Sequence, residues 1–131
     1  VIYLDSAALV KLIRFETATM ELTEWLNDRP ETALLSSALA EVEVPRALRR
    51  VAPEALPAVA ETFARLYRVE IDAAIRADAG SLDDPDLRTL DAIHLATARA
   101  MGAELEAFVS YDQRLLRAGD LLGLPTASPG A

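Results

Sequence analysis

Residues 87–112, LRTLDAIHLATARAMGAELEAFVSYD, carry the pattern from which the fold follows: an amphipathic helix, then a short apolar strand that stops on an acid. On a helical projection, at about 100° per residue, Leu87, Leu95 and Ala98 fall within about 40° of Asp91. Leu90 and Met101 extend that apolar arc on one side, while Arg88 and Arg99 point away. Asp91 thus stands near the middle of the face expected to pack on a core. A bare carboxylate buried there costs several kcal/mol or more, so a cation, a hydrogen bond or a proton has to satisfy it.

The strand–Asp–helix pattern at the end of this stretch has a counterpart at the start of the chain. FVSYDQRLL places a strand over residues 107–111 before Asp112 and a helix to about residue 122. IYLDSAALVKL places a strand over residues 1–4 before Asp5 and a helix over 6–14. Between them the punctuation predicts a helix over 17–27, closed by Asp28-Arg29-Pro30, and a strand over 33–36. A helix capped by Ser37 then carries Glu41 to about Val51. A helix over 53–67, a strand over 68–71, a helix capped by Asp72 and the loop SLDDPD at 81–86 follow. A short fifth strand is expected around 125–127. Short apolar strands alternating with amphipathic helices mean βαβ units. The expectation is one domain over residues 1–131, α/β in class, with three α/β/α layers and a mainly parallel sheet of four to five strands. Asp5 and Asp112 would then share the carboxyl edge of the sheet, where ligands of open parallel sheets bind.

Composition narrows the chemistry. The 131 residues suffice for one core, half of them are apolar, and no apolar run reaches the length of a membrane span. The opening VIYL is too short for a secretory core, so the expectation is a cytoplasmic protein with no membrane partner. With no cysteine and a single histidine, disulfides, thiolate chemistry and ordinary structural zinc are excluded. A bound metal must take oxygen ligands, which points to Mg²⁺ or Mn²⁺. A net charge of −8 argues against holding nucleic acid by bulk electrostatics. Twelve of the thirteen basic residues are nonetheless arginines, whose forked donors match phosphates.

Four acids are candidates for one site. Taken alone, Asp5 reads slightly more readily as a helix cap than as a ligand, and Asp112 has the same cap reading. Glu41 shares an arc with Val44, Leu48 and Val51, whereas Glu43 projects to roughly the opposite side and reads as solvated. Pro45 withholds the N–H that would meet the Glu41 carbonyl, leaving open a kink or a break. Ser6 and Ser110 are placed to hydrogen-bond the strand-end acids. His94, on the flank of the Asp91 arc, reads as a packed, hydrogen-bonded residue outside the catalytic set. Like charges about 4 Å apart repel by roughly 4 kcal/mol at an effective dielectric of 20. Such a cluster holds a proton at raised pKa or binds a divalent cation, and a cation there suits attack of water on a phosphodiester.

YLDSAALVKL, SSALAEVEVPRALRR, LRTLDAIHLATA and VSYDQRLLRAGDLLGLPT together resemble a PIN-domain ribonuclease of the bacterial VapBC toxin–antitoxin type, over nearly the whole chain. The resemblance implies Asp5, Glu41, Asp91 and Asp112 as the acidic metal site. It further implies Mg²⁺- or Mn²⁺-dependent endonuclease cleavage of structured RNA (tRNA or rRNA), a homodimer, and inhibition by a cognate VapB-like antitoxin. Arg46 and Arg49 are the arginines expected to meet phosphate. Two other carboxylate–Mg²⁺ classes fit less well. A haloacid-dehalogenase-like phosphatase needs a second acid two residues after the first, where Ala7 stands. A receiver domain needs an acidic pair at its first strand end and a lysine after its last strands, and the only lysine is Lys11. A non-catalytic PIN-like scaffold that only binds RNA or a partner should have lost site acids, and all four are present.

Overall fold

Two strands are apolar at every position, and they form the middle of the sheet. In the computed structural model, which describes residues 1–131, Ile2–Leu4 (β1) and Ala107–Val109 (β4) are buried throughout. They lie side by side, with Ile2, Tyr3 and Leu4 opposite Ala107, Phe108 and Val109. Leu34–Ser37 (β2) flanks β1, and Tyr67–Val69 (β3) and Thr126–Ala127 (β5) close the two edges. All neighbours are parallel, in the order β3-β2-β1-β4-β5. Burial on both faces is why β1 and β4 are continuous apolar runs instead of alternating ones.

The helices are Ser6–Ile13 (α1), Thr19–Asn27 (α2), Ala40–Val51 (α3), Val59–Ala64 (α4), Ala73–Ser81 (α5), Thr89–Arg99 (α6) and Gln113–Leu121 (α7). Successive strand residues point to opposite faces. Ile2, Leu4, Ala107 and Val109 pack with Leu9, Leu22, Val44, Leu48 and Phe63 from α1 to α4. Tyr3, Leu35 and Phe108 pack with Leu95, Ala98, Leu115 and Ala118 of α6 and α7. The three α/β/α layers expected are therefore present, around a sheet of five strands. Helix α5 packs on α6, where Arg99 Nε donates to Asp78 at 3.1 Å.

From β1 the chain steps outward to β2 and β3, then returns to the other side of β1 for β4 and β5. The strand order reverses between β1 and β4, so the crevice beyond their carboxyl ends is the place where this topology accommodates a ligand. Asp5 follows β1 directly, and Asp112 follows β4 after two residues.

Three local expectations change. Residues 53–67 are not one helix: Pro53–Ala58 forms a 3-10 segment containing Pro57, which lacks a donor, and α4 follows it. Tyr67 already belongs to β3. Ser37 does not cap α3. Its Oγ accepts from the Leu39 N–H at 3.1 Å, and the helix begins behind Leu39 and runs uninterrupted through Pro45. No helix is long and apolar enough to cross a membrane.

Candidate active site

Asp5 and Asp112 play the same local part at the two central strand ends. Asp5 Oδ1 accepts from the Ala8 N–H at 2.8 Å and caps α1; Asp112 Oδ1 accepts from the Arg114 N–H at 2.9 Å and caps α7. Capping and site membership are compatible, because a carboxylate that spends one oxygen on a cap keeps the other. Asp5 is only 3 % exposed, and burial pushes its pKa above the ordinary carboxylate value. The Ser110 hydroxyl, His94 and the Ala8 N–H oppose that shift, and Asp91 adds to it. The fully buried Ser110 Oγ also accepts from the Asp112 backbone N–H at 3.1 Å, so one hydroxyl serves both strand-end acids.

Asp91 lies in the first turn of α6, half-buried. Its carboxyl is pushed up by burial, then by Asp112 and to a lesser degree Glu43, against the pull of His94 and Arg88. Leu95 and Ala98 on the same helical face are fully buried, but Leu90 is 45 % exposed. The apolar face thus emerges from the core within its first turn, and it emerges beside other acids. The electropositive helix start favours the charged form there.

Of the four acids expected to share a site, Glu41 is the one this structure does not bring to the others. It is exposed and pairs with Arg68, Oε2 to Nε at 3.3 Å, out beside β3. Glu43 lies near them instead, close enough to add to the shift of Asp91. Its Oε1 accepts from Ser6 Oγ at 2.7 Å and lies 2.7 Å from His94 Nε2. Burial pushes the Glu43 carboxyl up, but the hydrogen bonds from His94 and Ser6 outweigh it and hold the group below its usual range. The face that α3 turns to the sheet is Ala40, Val44 and Leu48. Glu43 stands about 100° from the centre of that stripe, on a flank covered by α1 and α6. Projection against a single core face marks such a position as solvated, although in a layered fold the flanks meet neighbouring helices. Ser6 consequently supports Glu43 and not Asp5.

His94 is 2 % exposed, in keeping with a packed residue, but its bonds link the two layers. Nδ1 lies 2.7 Å from Tyr3 Oη, and the two rings meet edge to face. Nε2 meets Glu43 and, at 3.3 Å, Ser6 Oγ. No motif pointed to this link. The one available signal was a polar ring, one helical turn after the misplaced acid, on a helix otherwise buried at that level.

The arginines divide by surroundings. Arg46 and Arg50, one turn apart on α3, line a hollow that includes Glu43, and Arg49 lies outside it. Arg88, Arg114 and Arg117 line a second hollow with Asp91, together with Asp84 and Asp86. Two larger hollows surround the loop after α5 and contain none of Asp5, Glu43, Asp91 and Asp112.

No three Asp, Glu or His side chains converge, as they stand, into a cage for a metal ion. The donor set nevertheless suits a hard divalent cation. Asp5, Glu43 and Asp112 each anchor one oxygen, at Ala8, at His94 and Ser6, and at Arg114. Asp91 raises and is raised by its acidic neighbours, with no hydrogen bond to relieve it. Oxygen donors that repel one another in a half-buried crevice attract such an ion.

Comparison with known proteins bears on what such a crevice does. Residues 2–121 match the family model described as PIN domain. Ribonuclease VapC35 of Mycobacterium tuberculosis is 53% identical over 131 residues, an alignment covering 98% of this chain and 97% of that protein. Ribonuclease VapC46 of the same organism is 41% identical over 128 residues, again covering 98% and 97%. The crystal structure of M. tuberculosis VapC20, described as a sarcin-ricin loop cleaving toxin, superposes with a TM-score of 0.72. That superposition covers 91% of this chain and 95% of the other at 18% identity, a likeness of fold.

Proposed function

This chain belongs to the PIN-domain family, in its VapC branch, and from that premise we propose that it is a metal-dependent endoribonuclease, the toxin of a toxin–antitoxin pair. Its 131 residues are read as one PIN domain that hydrolyses phosphodiester bonds in structured RNA, tRNA or rRNA. The observation that carries the reading is the acid cluster at the strand-order reversal: Asp5 and Asp112 from adjacent strand ends, with Asp91 and Glu43 from the first turns of α6 and α3.

Asp5, Glu43, Asp91 and Asp112 would hold Mg²⁺ or Mn²⁺, which supplies an activated water and neutralises charge developing on the phosphate. The protein's own groups do the rest. The cap at Ala8 fixes Asp5, and Ser6 and His94 fix Glu43. Burial of Asp5 keeps bulk water from the inner wall of the crevice. Asp91, whose carboxyl burial and Asp112 push up, is an acid whose charge a bound cation would offset. Arg46 and Arg50 on one side, and Arg88, Arg114 and Arg117 on the other, are placed to take flanking phosphates. Local arginines reconcile an acidic protein with an RNA substrate.

The same reading assigns a cytoplasmic location and two protein partners, a second copy and a VapB-like antitoxin. Phe15, Tyr67 and Leu121, 71 to 81 % exposed, are apolar surface for such partners to cover. Purified protein should degrade total bacterial RNA when Mg²⁺ or Mn²⁺ is supplied. Cleavage that survives EDTA, or that persists in Asp91→Asn, would sink the proposal.

A further inference from the structure

We infer that His94 is a positioning residue of this site: oriented by Tyr3, its Nε2–H holds one oxygen of Glu43 so that the other is presented to the crevice. The inference rests on reading the acids as the reactive centre, and it follows from donor and acceptor counting.

An ionised carboxylate only accepts. Glu43 Oε1 lies 2.7 Å from both Ser6 Oγ and His94 Nε2, so each of those atoms must donate to it. In the tautomer with its hydrogen on Nε2, Nδ1 is the acceptor, 2.7 Å from Tyr3 Oη. Tyr3 can supply that hydrogen, because it is fully buried and burial and Asp5 both push its phenol further toward the protonated form. The chain then runs from Tyr3 O–H to His94 Nδ1 and from His94 Nε2–H to Glu43 Oε1, with Ser6 O–H donating to the same oxygen. With Glu43 ionised, neither donor to Oε1 can reverse without setting two acceptors against each other.

Each end is tied to a different layer. Tyr3 is stacked on Phe108 at 5.4 Å, within the core beneath α6 and α7, which fixes the phenol. Glu43 rides on α3, which packs on the opposite face of the sheet. His94 thus registers the α3 acid against the layer that carries Asp91. Both donors on Glu43 fall on Oε1, and Oε2 accepts nothing from the chain. Support of this kind around a ligating carboxylate commonly changes metal affinity or rate by about 10- to 100-fold.

The test uses the full chain, with Mn²⁺ as the probe ion and a labelled oligonucleotide spanning a cut mapped in total RNA. His94→Phe keeps a ring and removes both bonds; His94→Gln keeps a side-chain N–H that can reach Glu43. The expected result for His94→Phe is a fall in kcat and in Mn²⁺ affinity of the RNA-free protein, each about 10- to 100-fold, with KM within about twofold. His94→Gln should recover most of both. Nitrogen NMR of the wild type should find His94 protonated at Nε2 and bare at Nδ1. The opposite tautomer, wild-type kcat and Mn²⁺ affinity in His94→Phe, or equal losses in the Phe and Gln variants would each overturn the inference. The NMR result stands even if His94→Phe does not fold. A wild type that neither cleaves RNA nor binds Mn²⁺ would instead overturn the functional reading beneath it.

Discussion

Glu41 and Glu43 stand two residues apart on one helix, and exchanging their roles distinguishes this structure from any single-face reading of it. Glu41→Gln removes a pair with Arg68 in which the partners are 53 % and 36 % exposed at 3.3 Å. Such a pair is worth about 0.2–1 kcal/mol, so the variant should fold normally and cleave RNA within about twofold of wild type. Glu43→Gln is different in kind. The amide oxygen can keep the Oε1 position and still accept from Ser6 and His94, both at 2.7 Å in the parent. Turning two charge-assisted bonds into neutral ones costs about 1 kcal/mol each. Relief of the buried charge and of its repulsion with Asp91 offsets part of that loss. The fold should therefore survive with stability lowered by no more than about 2 kcal/mol. The amide NH₂ then replaces the oxygen that faces the crevice, and a donor cannot bind a cation. Activity should fall at least about 100-fold, equivalent to about 2.7 kcal/mol of barrier. Urea denaturation of both variants and initial rates on the mapped RNA fragment measure both quantities. An inactive Glu41→Gln beside an active Glu43→Gln would refute the assignment and the flank argument with it.

Asp5→Asn should lose activity yet gain stability at pH 7, measured by urea denaturation in EDTA. The folded-state pKa of Asp5 lies above the ordinary 3.8, so the native state binds the proton more tightly and stability falls as pH rises through that window. The amide keeps the cap at Ala8, and the gap between variant and wild type should close near pH 4; a gap that widens there would contradict the sign. Replacing Arg46 and Arg50 together by Gln should reduce the slope of log affinity for RNA against log salt by about 1 to 2. Arg65→Gln, in a hollow away from the acids, should leave the slope unchanged, and equal effects in the two would remove the phosphate role. Gly119→Val should destabilise by about 1–3 kcal/mol in thermal unfolding, because even a Cβ there meets Thr126 Cγ2 at 3.0 Å and Leu95 Cδ2 at 3.6 Å. A neutral result would mean that α7 does not pack on β5 as described.

The class of fold was legible because its signals are local. The apolar triplets IYL and AFV form the two central strands, and the acids beyond them, Asp5 directly and Asp112 after two residues, each cap the next helix at the carboxyl edge. Residues 53–67 were less legible, since two prolines in an alanine-rich run fit a helix start and a 3-10 segment about equally well. Asp91 was legible as a misfit on its own helix. Its neighbours in space were not.

Sequence by itself determined the α/β class, the parallel central strands, the oxygen-only donor chemistry and three of the four acids gathered at the sheet edge. Tertiary structure alone set Glu43 and not Glu41 beside the other acids, turned Ser6 toward Glu43, and made His94 the link between layers. The physical reason is the same in each case. Periodicity reports which face of a helix meets the sheet, whereas these side chains act from helix flanks. What a flank meets depends on how α1, α3 and α6 are set around the carboxyl end of β1, and no single helix encodes that.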